Sequence, residues 1–145
     1  IPNSVTFLGE SVFMKCVGLK SVELSDSITS IGESAFDGCS NLLSIEIPSF
    51  VDTVYSYAFD GCGLLTYIKS NAMTPPDLGS FAFNGVKKDI PVYVPCDCVG
   101  AYGGVKGWKS FTNIQEPPTP LFTLTLDFDA SMGKVEILSE NGVEL

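Results

Sequence analysis

The fold class this sequence predicts is a solenoid of stacked coils, rich in short parallel β-strands and poor in helix. Three observations carry that expectation. Ala35-Phe36-Asp37-Gly38-Cys39 recurs as Ala58-Phe59-Asp60-Gly61-Cys62, 23 residues later. The same spacing aligns Cys16, Cys39 and Cys62, then Leu19, Leu42 and Leu65, then Val22, Ile45 and Ile68. Finally, Leu42-Leu43-Ser44-Ile45-Glu46-Ile47-Pro48 alternates apolar and polar residues up to a proline. Self-similarity at such a period marks repeated coils, each touching only its neighbours.

Within one coil, Ile45 and Ile47 point inward while Ser44 and Glu46 point outward, the period of a half-buried strand. Pro48 has no N–H for a ladder and should end it. A second short strand is expected at 51–54. A tight segment around Ala58-Phe59, about one helical turn, then leads to Asp60-Gly61, where glycine permits the positive φ of a sharp turn. One coil cannot stand alone, because ordering its backbone outweighs the burial of its few apolar side chains. Stacking is obligatory.

The pattern extends to a fourth coil with one inserted residue, so Leu78, Ala82 and Phe83 follow Val54, Ala58 and Phe59 by 24. Residues 95–115 drop it. They gather Trp108, Tyr102 and Phe111, large groups suited to sealing an open core end. A C-terminal cap is expected there, with a short helix near Val99–Tyr102. Residues 116–120, Glu-Pro-Pro-Thr-Pro, read as a stiff linker. Beyond it, Phe122–Phe128 and Lys134–Leu138 alternate around a turn at 129–133, so 121–145 reads as a β-hairpin, either the start of a second β-domain or a hairpin docked elsewhere.

Composition excludes several function classes. Seventeen acids face eight lysines, with no arginine and no histidine, for a net charge of −9. Nucleic-acid and anionic-membrane partners need a basic face, so neither is expected. No apolar run is long enough to span a bilayer. The start at Ile1, inside a repeat and without Met, reads as a trimmed fragment, so the missing leader says nothing about export.

Chemistry is equally sparse. Without histidine a Cys–His nucleophile pair cannot form, and no G-x-S-x-G or phosphate loop occurs. Asp37 and Asp60 belong to Asp-Gly turns rather than to a calcium site, which wants six or more oxygens. No enzyme, cofactor or metal is expected. Cys16, Cys39 and Cys62 are expected as buried free thiols, since parallel Cβ vectors one strand apart stand too far for a disulfide. The role of Cys96 and Cys98 stays open.

Ile28-x-x-Ile31-Gly32-x-x-Ala35-Phe36-x-x-Cys39-x-x-Leu42 and Ile45-x-Ile47-Pro48, continued by Val51-x-x-Val54 and Ala58-Phe59-x-x-Cys62-x-x-Leu65, resemble the BspA-like leucine-rich repeats of bacterial surface proteins. Tyr93-Val94-Pro95, Ala101-Tyr102 and Gly107-Trp108-Lys109-Ser110-Phe111 are similar to that family's C-terminal cap. The resemblance covers residues 1–115. It implies a leucine-rich repeat solenoid on exported proteins of host-associated bacteria, extracellular, periplasmic or on the cell surface, with adhesive roles and no catalysis. Lys15 departs from it by replacing the turn glycine, Tyr55 by replacing the glycine of Gly9, Gly32 and Gly79, and Cys96 and Cys98 by standing where small residues are usual.

The outward strand columns are the candidate binding surface. Ser21, Ser44 and Tyr67 form one exposed row with Pro91; Glu23, Glu46, Lys69 and Tyr93 form the next. Glu23 over Glu46 sets like charges on adjacent strands, a cost that solvation of the two glutamates commonly explains and that, if unrelieved, is compatible with a partner. Tyr55, Tyr57 and Phe81 make a second candidate, an aromatic contact for a sugar or a protein, with plain lining of the convex surface as the alternative. The leading expectation is a non-catalytic surface module that binds a protein through the strand face. Carbohydrate binding and a passive spacer are the alternatives.

Overall fold

The computed structural model describes residues 1–118 and the strand backbones of 125–129 and 134–138. Two parallel sheets flank the repeat. One contains β1 (Phe7–Leu8), β2 (Ser30–Ile31), β4 (Thr53–Val54) and β6 (Asp77–Leu78) in that order. The other contains β3 (Ser44–Ile47), β5 (Tyr67–Ser70), β7 (Val92–Tyr93) and β8 (Ile114–Gln115). Ile31 pairs with Val54, Ile45 with Ile68 and Ile68 with Val92, so the columns read from the sequence are the hydrogen-bonded register. The chain is a leucine-rich repeat solenoid.

The segment between the sheets is not a helical turn; it builds a third inter-coil ladder. Ser34, Phe36 and Gly38 donate their N–H groups to the carbonyls of Ser56, Ala58 and Asp60 at 3.0, 2.8 and 2.8 Å. Ser11, Phe13 and Lys15 do the same toward Glu33, Ala35 and Asp37, as do Tyr57, Phe59 and Gly61 toward Ser80, Ala82 and Asn84. Two left-handed residues per coil make this possible. Ser11, Ser34, Tyr57 and Phe81 have φ of 56°, 53°, 58° and 60°, and Lys15, Gly38, Gly61 and Gly85 have 58°, 73°, 69° and 74°. Lys15 therefore keeps the turn that glycine makes elsewhere.

Inside, Phe13, Phe36, Phe59 and Phe83 stack with ring centroids 5.2, 5.1 and 5.0 Å apart. The cap ends that column: Trp108 and Phe111 each lie 5.7 Å from Phe83. A helix α1 (Val99–Gly104) and a 3₁₀ turn (Trp108–Ser110) carry the plug. Trp108 Nε1 donates to the Pro76 carbonyl at 2.8 Å, and the Tyr102 hydroxyl donates to the Ala72 carbonyl at 2.7 Å, so both buried polar tips are satisfied. Burial pushes the Tyr102 hydroxyl above its usual pKa.

The first coil departs from expectation. No strand forms at 21–24; the Leu43 N–H reaches the Lys20 carbonyl, but the Ile1 ammonium takes the Glu23 carbonyl at 2.8 Å. Cys16 is exposed, while Cys39 and Cys62 are buried, because no earlier coil covers the first thiol among the described residues. The buried pair donate to carbonyls of the preceding coil, Cys39 Sγ to Phe13 at 3.1 Å and Cys62 Sγ to Phe36 at 3.3 Å. Cys96 is exposed and Cys98 is buried with its Sγ on the Met73 carbonyl, so the two thiols face different surroundings.

Beyond residue 118, β9 (Thr125–Asp129) and β10 (Lys134–Leu138) pair antiparallel, with Asp127 opposite Glu136. The expected turn residues 130–133 and the flanks 121–124 and 139–145 lie outside the described residues, as do Thr119 and Pro120. No helix among the described residues is long and apolar enough to cross a membrane.

Candidate functional site

The outward face of the β3–β5–β7–β8 sheet sets the candidate residues side by side. Ser44 stands opposite Tyr67, Glu46 opposite Lys69, and Lys69 opposite Tyr93. Parallel pairing turns one position of the repeat into a row of side chains one strand apart. Ser21, Glu23, Ser44, Glu46 and Tyr67 open onto one groove of about 400 Å³. Lys69 and Tyr93 sit on the adjoining rungs, and the Tyr67 and Tyr93 rings lie 5.9 Å apart, tilted by 58°. Asp26 and Asn71 also line the groove. Sequence reading missed both, since Asn71 lies in the loop after β5 and Asp26 in a turn of the first coil, where side-chain direction follows no period.

The charge expectation needs correcting. Glu46 is not held against Glu23 as an unrelieved repulsion. Its Oε1 accepts from Lys69 Nζ at 2.7 Å and from Asn71 Nδ2 at 2.8 Å. The Lys69 hydrogen bond, and after it that of Asn71, hold the Glu46 carboxyl below the usual carboxylate range. Both partners of the ion pair are well exposed, so it fixes geometry more than it stabilises. The groove is thus an acidic wall with one amide and one tyrosine ring, and Lys69 beside it.

The aromatic candidates lie elsewhere. Tyr57 and Phe81 stack at 5.4 Å with an 18° angle between planes, and both are left-handed. Tyr55 is exposed two residues earlier. On the turns, Asp60 Oδ1 accepts from Asn84 Nδ2 at 2.8 Å. Among the described residues no group of three or more Cys, Asp or Glu could hold a metal ion.

The family described as BspA type leucine rich repeat region matches residues 1–95 in six copies. The chain belongs to the BspA-type leucine-rich repeat family. Repeats of this kind suit protein interaction and are typically non-catalytic, and the BspA-type family is generally associated with bacterial surfaces. No curated protein matches the chain. The BspA-type repeat accounts for the solenoid but leaves the strand-face residues unassigned, because those positions change chemical character from coil to coil while most inward ones stay apolar.

Proposed function

We propose that this BspA-type chain is a non-catalytic binding module, displayed on a bacterial surface or secreted, that mediates adhesion by gripping a protein with its long-strand face. The groove shared by Ser21, Glu23, Ser44, Glu46 and Tyr67 carries this reading. A partner laid along it would meet the acidic wall first and the Tyr67–Tyr93 pair as an apolar anchor, with Lys69 at the rim. In this reading residues 116–120 are a linker and 121–145 open a separate β-unit.

The test is the combined replacement of Tyr67, Glu46 and Tyr93 by alanine, assayed on arrayed extracellular-matrix proteins and mucins. Capture should fall at least about tenfold while the thermal midpoint holds. Capture equal to that of the unaltered protein rejects this face. A second reading, contact with a sugar ring, is favoured by the exposed Tyr57–Phe81 stack with Tyr55 nearby. A glycan array without signal above background would dismiss it.

A further inference from the structure

The third ladder has an open end. At three successive junctions, the N–H groups of one coil at alternate positions meet carbonyls of the next, three bonds each time. The fourth coil receives such bonds on Ser80, Ala82 and Asn84. Its own equivalent donors are the N–H groups of Phe81, Phe83 and Gly85. Among the described residues these three make no hydrogen bond. The cap extends the β3–β5–β7 sheet through β8 and plugs the core with Trp108, yet it adds no rung here.

The edge is already shaped for its occupant. Phe81 and Gly85 hold φ of 60° and 74°, the same left-handed pair that aims the N–H groups outward in every earlier coil. A groove of about 220 Å³ runs beside it, lined by Phe81, Phe83, Asn84, Lys88, Ser110 and Phe111 among others. It shares no residue with the strand-face groove. Lys88 is the one ionisable side chain lining it, with Nζ on the Phe83 carbonyl and 4.7 Å from the Phe111 ring centre.

We propose that this edge captures an acidic peptide segment of a partner protein, which takes up the left-handed turn conformation of the earlier coils and adds a fourth junction to the ladder. The earlier junctions show what such a segment must offer: Glu33–Asp37, Ser56–Asp60 and Ser80–Asn84 each present carbonyls at their first, third and fifth residues. All three have alanine third and phenylalanine fourth. At the open edge Trp108 and Phe111 already fill the place against Phe83, so the fourth residue must be small. The fifth is acidic in two of the three segments, and Asn84 already receives the Asp60 carboxylate. Asn84 and Lys88 would hold the incoming carboxylate, and main-chain bonds would supply the rest, as in strand addition to a sheet edge.

The probe is a capped pentapeptide, Glu-Ser-Ala-Ala-Asp, which copies Glu33–Asp37 with alanine in the phenylalanine place. It is titrated into the full ¹⁵N-labelled chain. Before addition, the amides of Phe81, Phe83 and Gly85 should exchange with solvent at least about tenfold faster than those of Tyr57, Phe59 and Gly61. The peptide should then shift those three amides saturably, with Kd below about 1 mM, and slow their exchange. Asparagine in the peptide's last place, or Lys88→Gln in the protein, should each weaken binding about tenfold. Equally slow exchange at both sets of amides overturns the open edge. Shifts centred elsewhere, or none at about 10 mM peptide, overturn the capture. Equal affinity for the Asp and Asn peptides overturns the acidic preference.

Discussion

A β-carbon placed on Gly32 would stand 2.5 Å from the carbonyl oxygen of Leu8, one coil below. The backbones of these two coils touch there, and the missing side chain of Gly32 lets them, while the next rung of the same column carries Tyr55. Gly79 repeats the relationship, with a β-carbon 2.4 Å from the Ser56 nitrogen. Gly9 occupies the same column, yet nothing lies within 4 Å of its β-carbon position.

The same substitution should therefore behave differently along this column. Gly32→Ala forces backbone against backbone and should cost roughly 1–3 kcal/mol in urea unfolding. Gly9→Ala should stay within about 0.5 kcal/mol of the parent. Equal effects at the two sites would mean that the coils are not in contact at this column.

Left-handed turns give a second contrast. Lys15 carries φ of 58° where Gly38, Gly61 and Gly85 carry the same turn without a side chain. Lys15→Gly should raise stability by about 0.5–1 kcal/mol, and Gly61→Ala should lower it by about 1 kcal/mol or more. Chemical denaturation of both variants checks the pair. A destabilised Lys15→Gly variant would show that the lysine stem, packed over Gly38, outweighs the backbone strain.

Buried thiols set the alkaline limit. Desolvation pushes Cys62 up to about 12 and raises Cys39 as well. Unfolded thiols ionise near pH 9, so the native state keeps protons that the unfolded state releases. Stability is thus fully present below about pH 9 and falls as pH rises toward about 12, by at most about 1.4 kcal/mol per pH unit for Cys62. Cys62→Val, the residue its column holds at Val86, should flatten that slope in denaturant midpoints measured from pH 8 to pH 11. At pH 8 a thiol reagent should modify Cys16 and Cys96 in seconds to minutes and leave Cys39 and Cys62 untouched until unfolding.

The coil register was legible in the sequence because every inward column shares one spacing, including the 24-residue step to Val92. The strand-face rows of Ser44, Tyr67, Glu46, Lys69 and Tyr93 follow from that register alone. The third ladder was not legible. Ser34, Tyr57 and Phe81 carry no preference for positive φ; Ser34 and Tyr57 are held there by bonds to the next coil, and Phe81 keeps the same turn without one. The ends were misread for a related reason. A periodic pattern describes a coil with neighbours on both sides, so it buried Cys16 and set Glu23 on a strand beside Glu46, where no earlier coil stands among the described residues. The Asn71 contact of Glu46 did not follow from spacing, since Asn71 reaches back from a loop to share that carboxylate with Lys69.

The cap offers a local test of how stability is distributed. Trp108 is fully buried, packs 5.1 Å from Tyr102 and 5.7 Å from Phe83, and hydrogen-bonds the Pro76 carbonyl. Trp108→Phe retains much of the packing but leaves that carbonyl unmet, a loss of about 1–3 kcal/mol. Trp108→Ala adds a cavity and should cost about 3–5 kcal/mol. Since each coil leans only on its neighbours, the damage should be graded. Amide exchange should accelerate most at Val86 and Val92, less at Phe59 and Ile68, and least at Ile31 and Phe36. Uniform acceleration across all these positions would mean that the coils unfold as one unit and that the cap guards the whole stack rather than its last turn.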